Sequence, residues 1–293
     1  MLNISSSLIR ISHLNTEMCI TFFKTTRSSL DKYKLILLNN RDEHLLRPTR
    51  EMHWHDGILS GVDEQDHARG TWTGINRNGR IGMMLSITQT QESKIPNAPS
   101  RGGIVNSFLN AHNTSDMVES LLIMAGIYNG FQLVCLEQNQ FGLYEVRTLT
   151  NQQVENIEVC QWNDEYHVIY NSPPSKPYQK AVYGKQLFSE RLQNSDEMTV
   201  DEVFETLLEI AVNRKQCYPD AQLQFQTRNT HEYNRPLSAI FIKYPEGTRE
   251  YGTRCHTLIT IDQNNKVSVL ERRYLPLEST WKDARFEFSI NGN

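Results

Sequence analysis

Residues 18–43 read MCITFFKTTRSSLDKYKLILLNNRDE, and this stretch decides the fold that the sequence predicts. Two runs of apolar, β-branched or aromatic residues, 19–24 and 34–39, flank a polar segment, which is typical of two strands joined by a turn. The second run leads directly into an amide, a guanidinium and two carboxylates at positions 40–43. The stretch therefore predicts a strand pair with a polar cluster at one end.

Beyond residue 43, strand and helix patterns come in blocks rather than in strict alternation. Such an order favours antiparallel or mixed sheets with helices packed outside, not a doubly wound parallel sheet. We expect four helices. Three cover residues 104–111, 181–192 and 200–213, and the other begins at a capping residue, Thr114 or Ser115. We expect further strands over 71–76, 80–88, 131–137, 141–147, 166–170, 237–243, 258–262, 267–273 and 286–290.

The composition predicts a folded domain rather than a disordered or nucleic-acid-binding chain. Of the 293 residues, 38% are hydrophobic and 22% are charged, which is enough apolar material for a core. The net charge of −4 disfavours nucleic acid as the main partner. We expect one domain over residues 18–293, because a single layered domain of this size is common.

The five cysteines indicate a reducing compartment. Their number is odd and no CxxC pair occurs, so neither a disulfide framework nor a zinc site is predicted. No apolar run approaches the roughly 18 residues of a membrane-spanning helix. The sequence also has no HExxH, P-loop or CxxCH motif, and we predict no metal site.

Residues 1–17 differ in composition from the rest of the chain. They are rich in serine, contain Arg10, and have no acidic residue before Glu17. This composition is compatible with a mitochondrial transit segment. The alternatives are an unstructured tail or an upstream start, with translation also beginning at Met18.

Cys19 has two interpretations. If the chain began at Met18 and this methionine were removed, the Cys19 thiol would sit beside its own α-amine. An α-amine titrates near pH 8 and can serve as the general base for the thiol. Alternatively, Cys19 is a small buried residue of the first strand.

The cluster at positions 40–43 is either a polar pocket or a charged turn. In a pocket, Asp42 or Glu43 would hold Arg41, and Asn40 would donate hydrogen bonds. Two histidines, His53 and His55, fall on one side of an extended segment and could bind a metal or a haem iron. With no third ligand in view, surface or core histidines are the alternative.

Taken together, several short motifs resemble one known family. Met18-Cys19-Ile20 with Phe22-Phe23, Asn40-Arg41-Asp42-Glu43 and Arg47-Pro48 resemble the opening of the transport and Golgi organization protein 2 family, known by its NRDE motif. The resemblance continues through Leu59-Ser60-Gly61, Gly70-Thr71-Trp72, Ser100-Arg101-Gly102, Tyr128-Asn129-Gly130-Phe131, Gly184-Lys185-Gln186-Leu187-Phe188 and Tyr251-Gly252-Thr253-Arg254. It covers nearly all of the chain from Met18 onward.

The resemblance implies an α+β fold: a four-layer αββα sandwich of two mainly antiparallel sheets, as in N-terminal-nucleophile hydrolases. It also implies a cytoplasmic protein associated with mitochondria and the Golgi that moves haem or a similar amphipathic cargo. The expected binding pocket contains Asn40, Arg41, Asp42, Glu43, Trp72, Asn171 and Arg254. No cofactor is required, and haem would be cargo.

A second function follows from the similarity to the hydrolases. Cys19 would take the place of the nucleophile and Asp42 that of the carboxylate that orients the amine, giving an amidohydrolase or acyl thioesterase. Three features depart from the usual patterns: Arg41 is displaced by two positions, His256 replaces an asparagine, and Ser86-Ile87 stands where Thr-Asn is usual. The Ser86-Ile87 departure removes an amide that could serve an oxyanion hole.

Overall fold

The two opening strands, β1 (Ile20–Thr25) and β2 (Tyr33–His44), pair antiparallel, with Ile20 opposite Asn40. The structure is a computed structural model that describes residues 18–245 and 250–290. β2 continues past its predicted end at residue 39, because β11 (Tyr251–Asp262) pairs along its other side. The polar cluster at positions 40–43 therefore lies inside a strand and not in a turn after it.

These strands belong to a six-stranded sheet, called sheet A here. Its order is β10-β1-β2-β11-β12-β13, and all neighbours pair antiparallel. The remaining members are β10 (Tyr166–Tyr170), β12 (Lys266–Leu275) and β13 (Thr280–Ser289).

Sheet B has seven strands in chain order, β3 to β9, again all antiparallel. Its strands are β3 (Thr49–His55), β4 (Ile58–Asp63), β5 (Thr73–Asn76), β6 (Ile81–Ser86), β7 (Phe131–Gln138), β8 (Tyr144–Thr150) and β9 (Val159–Trp162). Short connections suffice for most of these pairs because an antiparallel strand begins beside the end of its neighbour.

Helices cover the outer face of each sheet. Sheet B carries α1 (Gly103–Asn110) and α2 (Thr114–Met124); sheet A carries α3 (Gln179–Leu192) and α4 (Val200–Ala211), followed by α5 (Ala221–Thr227) and α6 (His231–Leu237). Short 3-10 turns occupy Gln91–Ser93, Ala125–Ile127 and Ser195–Glu197. The α4 helix begins with a capping box between Thr199 and Glu202.

Alternation along β2 shows how the layers are built. Leu35 and Leu37 pack between the two sheets, whereas Ile36 and Leu38 pack against the helices on sheet A. A third apolar cluster joins sheet B to α1 and α2. Because β side chains alternate between faces, β2 must be apolar on both faces to be buried. The predicted four-layer αββα sandwich is confirmed.

One predicted strand is wrong. Residues 237–243 do not form a strand; α6 ends at Leu237, and the following apolar residues are buried in an irregular segment. Within the described part of the chain, one isolated bridge joins Lys243 to Gly252. Other elements supply its backbone partners, as when Phe241 N donates to Asn213 O at 2.8 Å. The apolar run at 237–243 wrongly predicted a strand because these residues are buried without pairing as a strand.

Other differences are smaller. Asn113 caps α2, in place of the predicted Thr114 or Ser115; its side chain accepts from the amides of Ser115 and Asp116. Strands β3, β4 and β9 and helices α5 and α6 were not predicted. Within the described ranges, no helix has both the length and the apolar character needed to cross a membrane. The predictions for residues 1–17 lie outside the described residues.

Candidate functional site

A cleft between the two sheets contains the thiol and the polar cluster together. Its cavity, about 220 Å³, is lined by Cys19 before β1, by Arg41, Asp42 and Glu43 of β2, and by sheet B residues at the ends of β4 and β6. Residues 70–72 and the loop 99–102 complete the wall. We call this cavity the NRDE cleft.

A larger cavity, of about 800 Å³, lies elsewhere, against α6. Tyr218, His231, Tyr233 and Arg235 are among the residues that line it. None of the residues predicted for the site belongs to its described wall. We assign the candidate site to the NRDE cleft because the thiol, the buried carboxylate and the arginine meet there.

The thiol of Cys19 is half-buried and contacts the backbone of β2. Its Sγ accepts from the amide of Asp42 at 3.4 Å and lies 3.7 Å from the Asp42 carbonyl oxygen, to which it can donate. The β1–β2 register produces this contact, because Ile20 lies opposite Asn40 and the preceding residue extends toward positions 41 and 42. The strand pair thus fixes the thiol on the cavity wall.

Asp42 is a buried carboxyl group with one unsatisfied oxygen. Thr253 donates its hydroxyl to Oδ1 at 2.5 Å, and Oδ2 has no hydrogen-bond partner among the described residues. Burial raises the pKa of Asp42 to about 7, against the opposing effects of Lys180, the Thr253 hydrogen bond and Arg41. The group is therefore poised to gain or lose a proton near neutral pH.

Lys180, on α3, is the charged partner that the sequence analysis missed. Its Nζ donates to the carbonyl oxygens of Met18 at 3.2 Å and Ala239 at 3.3 Å. Burial lowers its pKa, while Asp42 and then Cys19 oppose this shift. A sequence signal existed: Lys180 shares the four-residue spacing of the buried Gly184 and Phe188, so a lysine stands on the apolar stripe of the helix.

Arg41 lies in the cavity wall with its guanidinium stacked on Trp72, 3.8 Å from the ring centroid. Its ion pair with Glu43 is long, at 3.7 Å, and the Glu43 carboxylate also lies 3.7 Å from Arg47. Gly61 leaves room for the indole of Trp72, because a Cβ on residue 61 would lie 3.0 Å from two ring carbons.

Three predicted pocket residues, Asn40, Asn171 and Arg254, lie outside the described wall of the cleft. Asn40 faces the helices: it donates to the carbonyls of Ala211 and Ile240 and accepts from His256 Nδ1 at 2.7 Å. Alternation along β2 explains this, because Asn40 points opposite to Arg41. Its contacts tie β2 to α4 and to the segment after α6.

Asn171 and Arg254 support the surroundings of the cleft rather than its surface. Asn171 Nδ2 donates to the carbonyl of Ser86, a wall residue, at 2.7 Å. Arg254 donates to the carbonyls of His44 and Arg47 and so fixes the chain that leaves β2. Burial, with help from nearby arginines, lowers the pKa of Arg254 to about 10.

The two histidines of β3, His53 and His55, lie side by side, but no third metal-ligating side chain joins them among the described residues. The rings of His53 and His55 lie 4.9 Å apart, and His55 Nε2 contacts Ser60 Oγ at 2.8 Å. No group of three metal-ligating side chains occurs among the described residues. Neither histidine belongs to the described wall of the NRDE cleft.

The fold and the site define a class: a four-layer αββα protein with a thiol immediately before its opening strand, at an inter-sheet cleft. The sequence model of the family described as Transport and Golgi organisation 2 matches residues 18–276. The chain belongs to this family.

Relatives from animals match over almost their whole length. The mouse Transport and Golgi organization 2 homolog is 30% identical over 285 residues, which cover 93% of this chain and 99% of the mouse protein. The cattle Transport and Golgi organization protein 2 homolog is 31% identical over 290 residues, with the same two coverages.

A solved structure also aligns with the chain. It is a mutant of the conjugated bile acid hydrolase from Clostridium perfringens, with a TM-score of 0.49 and 8% sequence identity. The alignment covers 92% of this chain and 97% of the hydrolase.

Proposed function

We propose that this chain binds and carries an amphipathic small molecule with an acidic group, with haem as the candidate cargo, at the NRDE cleft. The observation that carries the proposal is Arg41. Its guanidinium lines the cavity, is held by stacking on Trp72, and forms no hydrogen bond with another described residue. Guanidinium N–H groups presented in a fixed plane suit a carboxylate or phosphate.

The size of the cavity supports a head-group site rather than a pocket for a whole cargo molecule. About 220 Å³ is below the roughly 300 Å³ at which pockets for drug-sized ligands begin. An acidic group would enter and pair with Arg41, and the apolar remainder would lie at the mouth. Haem fits this description, because it joins two propionate groups to a large apolar ring.

The cellular setting of the proposal is the cytoplasm, with association with mitochondria and the Golgi. The names of the animal relatives support the Golgi part. Imaging the tagged chain with markers for both organelles tests the setting; a distribution that follows neither marker would contradict it.

Replacing Arg41 with glutamine is expected to weaken haem binding at least about tenfold, because a charge-assisted hydrogen bond contributes about 1.5–3 kcal/mol. The measurement is a titration of the purified chain read by Soret absorbance. Arg77→Gln is a matched control, since Arg77 also stacks on an indole, Trp54, at 3.6 Å, but lies outside the described wall of the cleft. Equal affinity for the Arg41→Gln variant and the unmodified chain would refute the proposal.

A second function, hydrolysis of amide or thioester bonds by Cys19, has its own supporting observation. The buried Oδ2 of Asp42 has no partner among the described residues, and Lys180 donates to the carbonyl of Met18. If the chain were cleaved before Cys19, the new α-amino group would belong to the residue whose thiol contacts the Asp42 backbone. In its neutral form this amine could donate an N–H to Asp42 and take the thiol proton.

For this second function, intact-mass analysis is expected to show a mature chain that begins at Cys19. Cys19→Ala should then abolish turnover of acyl substrates without unfolding the chain, because only the Sγ atom is removed from a half-buried site. Cys160→Ala serves as the control, since Cys160 is exposed and outside the cleft. A mature chain that retains Met18 excludes catalysis by the α-amine.

A further inference from the structure

Among the described residues, the outer edge of β13 pairs with no other strand, and it is a regular surface for pairing with a further strand. β13 is the last strand of sheet A, and its ten residues pair with β12 in an unbroken register. The other sheet edges are shorter or irregular: β9 has four residues, β10 has five, and β3 carries a register shift between Arg50 and His53. Long regular edges are the ones that recruit further strands.

The backbone groups that point away from β12 can be identified. The amide of Ile290 donates to the carbonyl of Asn265 at 3.0 Å, so Ile290 faces β12. In an antiparallel pair, each second residue turns its N–H and C=O toward the neighbour. The outward groups of β13 therefore belong to Trp281, Asp283, Arg285, Glu287 and Ser289. Among the described residues, none of these groups has a backbone partner in another strand.

A second copy of β13 is the occupant that this edge fits. Two identical antiparallel strands related by a twofold axis must join outward-pointing residues. With the axis at Ala284, residues 280–288 of the two strands overlap, and Asp283 lies opposite Arg285 of the second copy on both sides of the axis. Moving the axis to residue 283 or 285 would instead place an aspartate opposite itself or an arginine opposite itself, which is unfavourable.

Internal ion pairs already hold the two charged side chains at this edge. Arg272 donates to both carboxylate oxygens of Asp283 at 2.7 Å, and Arg285 donates to Asp201 at 2.6 Å. Pairing about Ala284 would connect them into one row of alternating charge: Arg272, Asp283, then Arg285 and Asp201 of the second copy. Fixed side chains lose less conformational entropy when the new pair forms.

We propose that β13 pairs antiparallel with β13 of a second copy about a twofold axis at Ala284, joining two six-stranded sheets into one. The partner is recognised by backbone hydrogen bonds and by the reciprocal Asp283–Arg285 pairs. The proposal is independent of the function assigned to the NRDE cleft.

Sedimentation equilibrium tests the proposal. The unmodified chain is expected to dimerise, and Arg285→Asp and Asp283→Arg are each expected to raise the dimer dissociation constant at least about tenfold, since both cross-strand pairs become repulsive. A mixture of the two variants should dimerise again, because each copy then presents the charge that the other lacks. Recovery on mixing also separates loss of pairing from misfolding. A chain that stays monomeric at all concentrations, or variants that do not pair when mixed, would overturn the proposal.

Disulfide mapping tests the register. Residues facing each other at the axis in a non-hydrogen-bonded pair have Cα atoms about 4.5 Å apart, within the range for a disulfide. Ala284→Cys is therefore expected to give a covalent dimer on mild oxidation in a chain whose exposed Cys160 is replaced by serine. Lys282→Cys, the control in the same strand, should not. Cross-linking at 282 but not at 284 contradicts the register.

Discussion

Gly70→Ala is expected to destabilise the chain by about 3 kcal/mol or more and to abolish ligand binding at the NRDE cleft, on the scale of severe overpacking. A Cβ on Gly70 would lie 1.7 Å from the carbonyl oxygen of Gly102 and 2.2 Å from its carbonyl carbon. These are backbone atoms, which no side-chain rotation can move aside. Because both glycines line the cavity, the wall itself must shift. Urea denaturation and ligand titration of the same preparation measure the two effects.

The matched control for Gly70→Ala is Gly103→Ala. Gly103 begins α1 beside the same loop, and a Cβ there would meet no atom of the described part of the chain within 4 Å. Alanine also has the higher helix propensity, so this variant should be as stable as the unmodified chain or slightly more stable. If the Gly70→Ala and Gly103→Ala variants had the same denaturation midpoint, the backbones of Gly70 and Gly102 would not lie as close together as described.

Asn40→Ala is expected to cost about 3–4 kcal/mol of unfolding free energy, because it leaves several buried polar groups without partners. The carbonyls of Ala211 and Ile240 lose a donor, and His256 Nδ1 loses its acceptor. Asn40 donates twice through Nδ2, so its Oδ1 accepts and His256 carries its proton on Nδ1. Burial lowers the pKa of His256 to about 3, and the imidazole cannot regain solvation by charging at neutral pH.

Asn39→Ala provides the comparison for this prediction. Asn39 is the same residue type, one position earlier and also buried. Among the described residues its side chain makes one hydrogen bond, to Thr21 Oγ1 at 2.6 Å, and Oδ1 has no partner. Its loss should cost about 1 kcal/mol. Calorimetry or urea denaturation gives the loss of unfolding free energy in each variant. Equal losses in Asn40→Ala and Asn39→Ala would mean that the Asn40 hydrogen bonds add no stability beyond burial.

The sequence alone determined most of the strands and helices and their order in blocks, which favoured antiparallel or mixed sheets with helices outside. The runs at 19–24 and 34–39 correctly indicated two strands, and the structure shows that both are buried. The 3.6-residue period of the apolar residues, with Asp201 and Glu202 in the first turn, placed the start of α4 correctly at Val200. Local pattern was sufficient in these cases because the signal and the structure depend on the same neighbouring residues.

Tertiary structure alone decided which polar residues share a site. The sequence placed Asn40, Arg41, Asp42 and Glu43 together, but strand alternation sent Asn40 to the helix side and left Arg41 on the cleft. Lys180 contacts Met18 across 162 positions, and Thr253 reaches Asp42 across 211. No local pattern encodes such pairings, since they depend on which strands and helices become neighbours. The same reason explains the wrong strand at 237–243: apolar residues record that a segment is buried, and only the packed fold decides whether its backbone pairs as a strand.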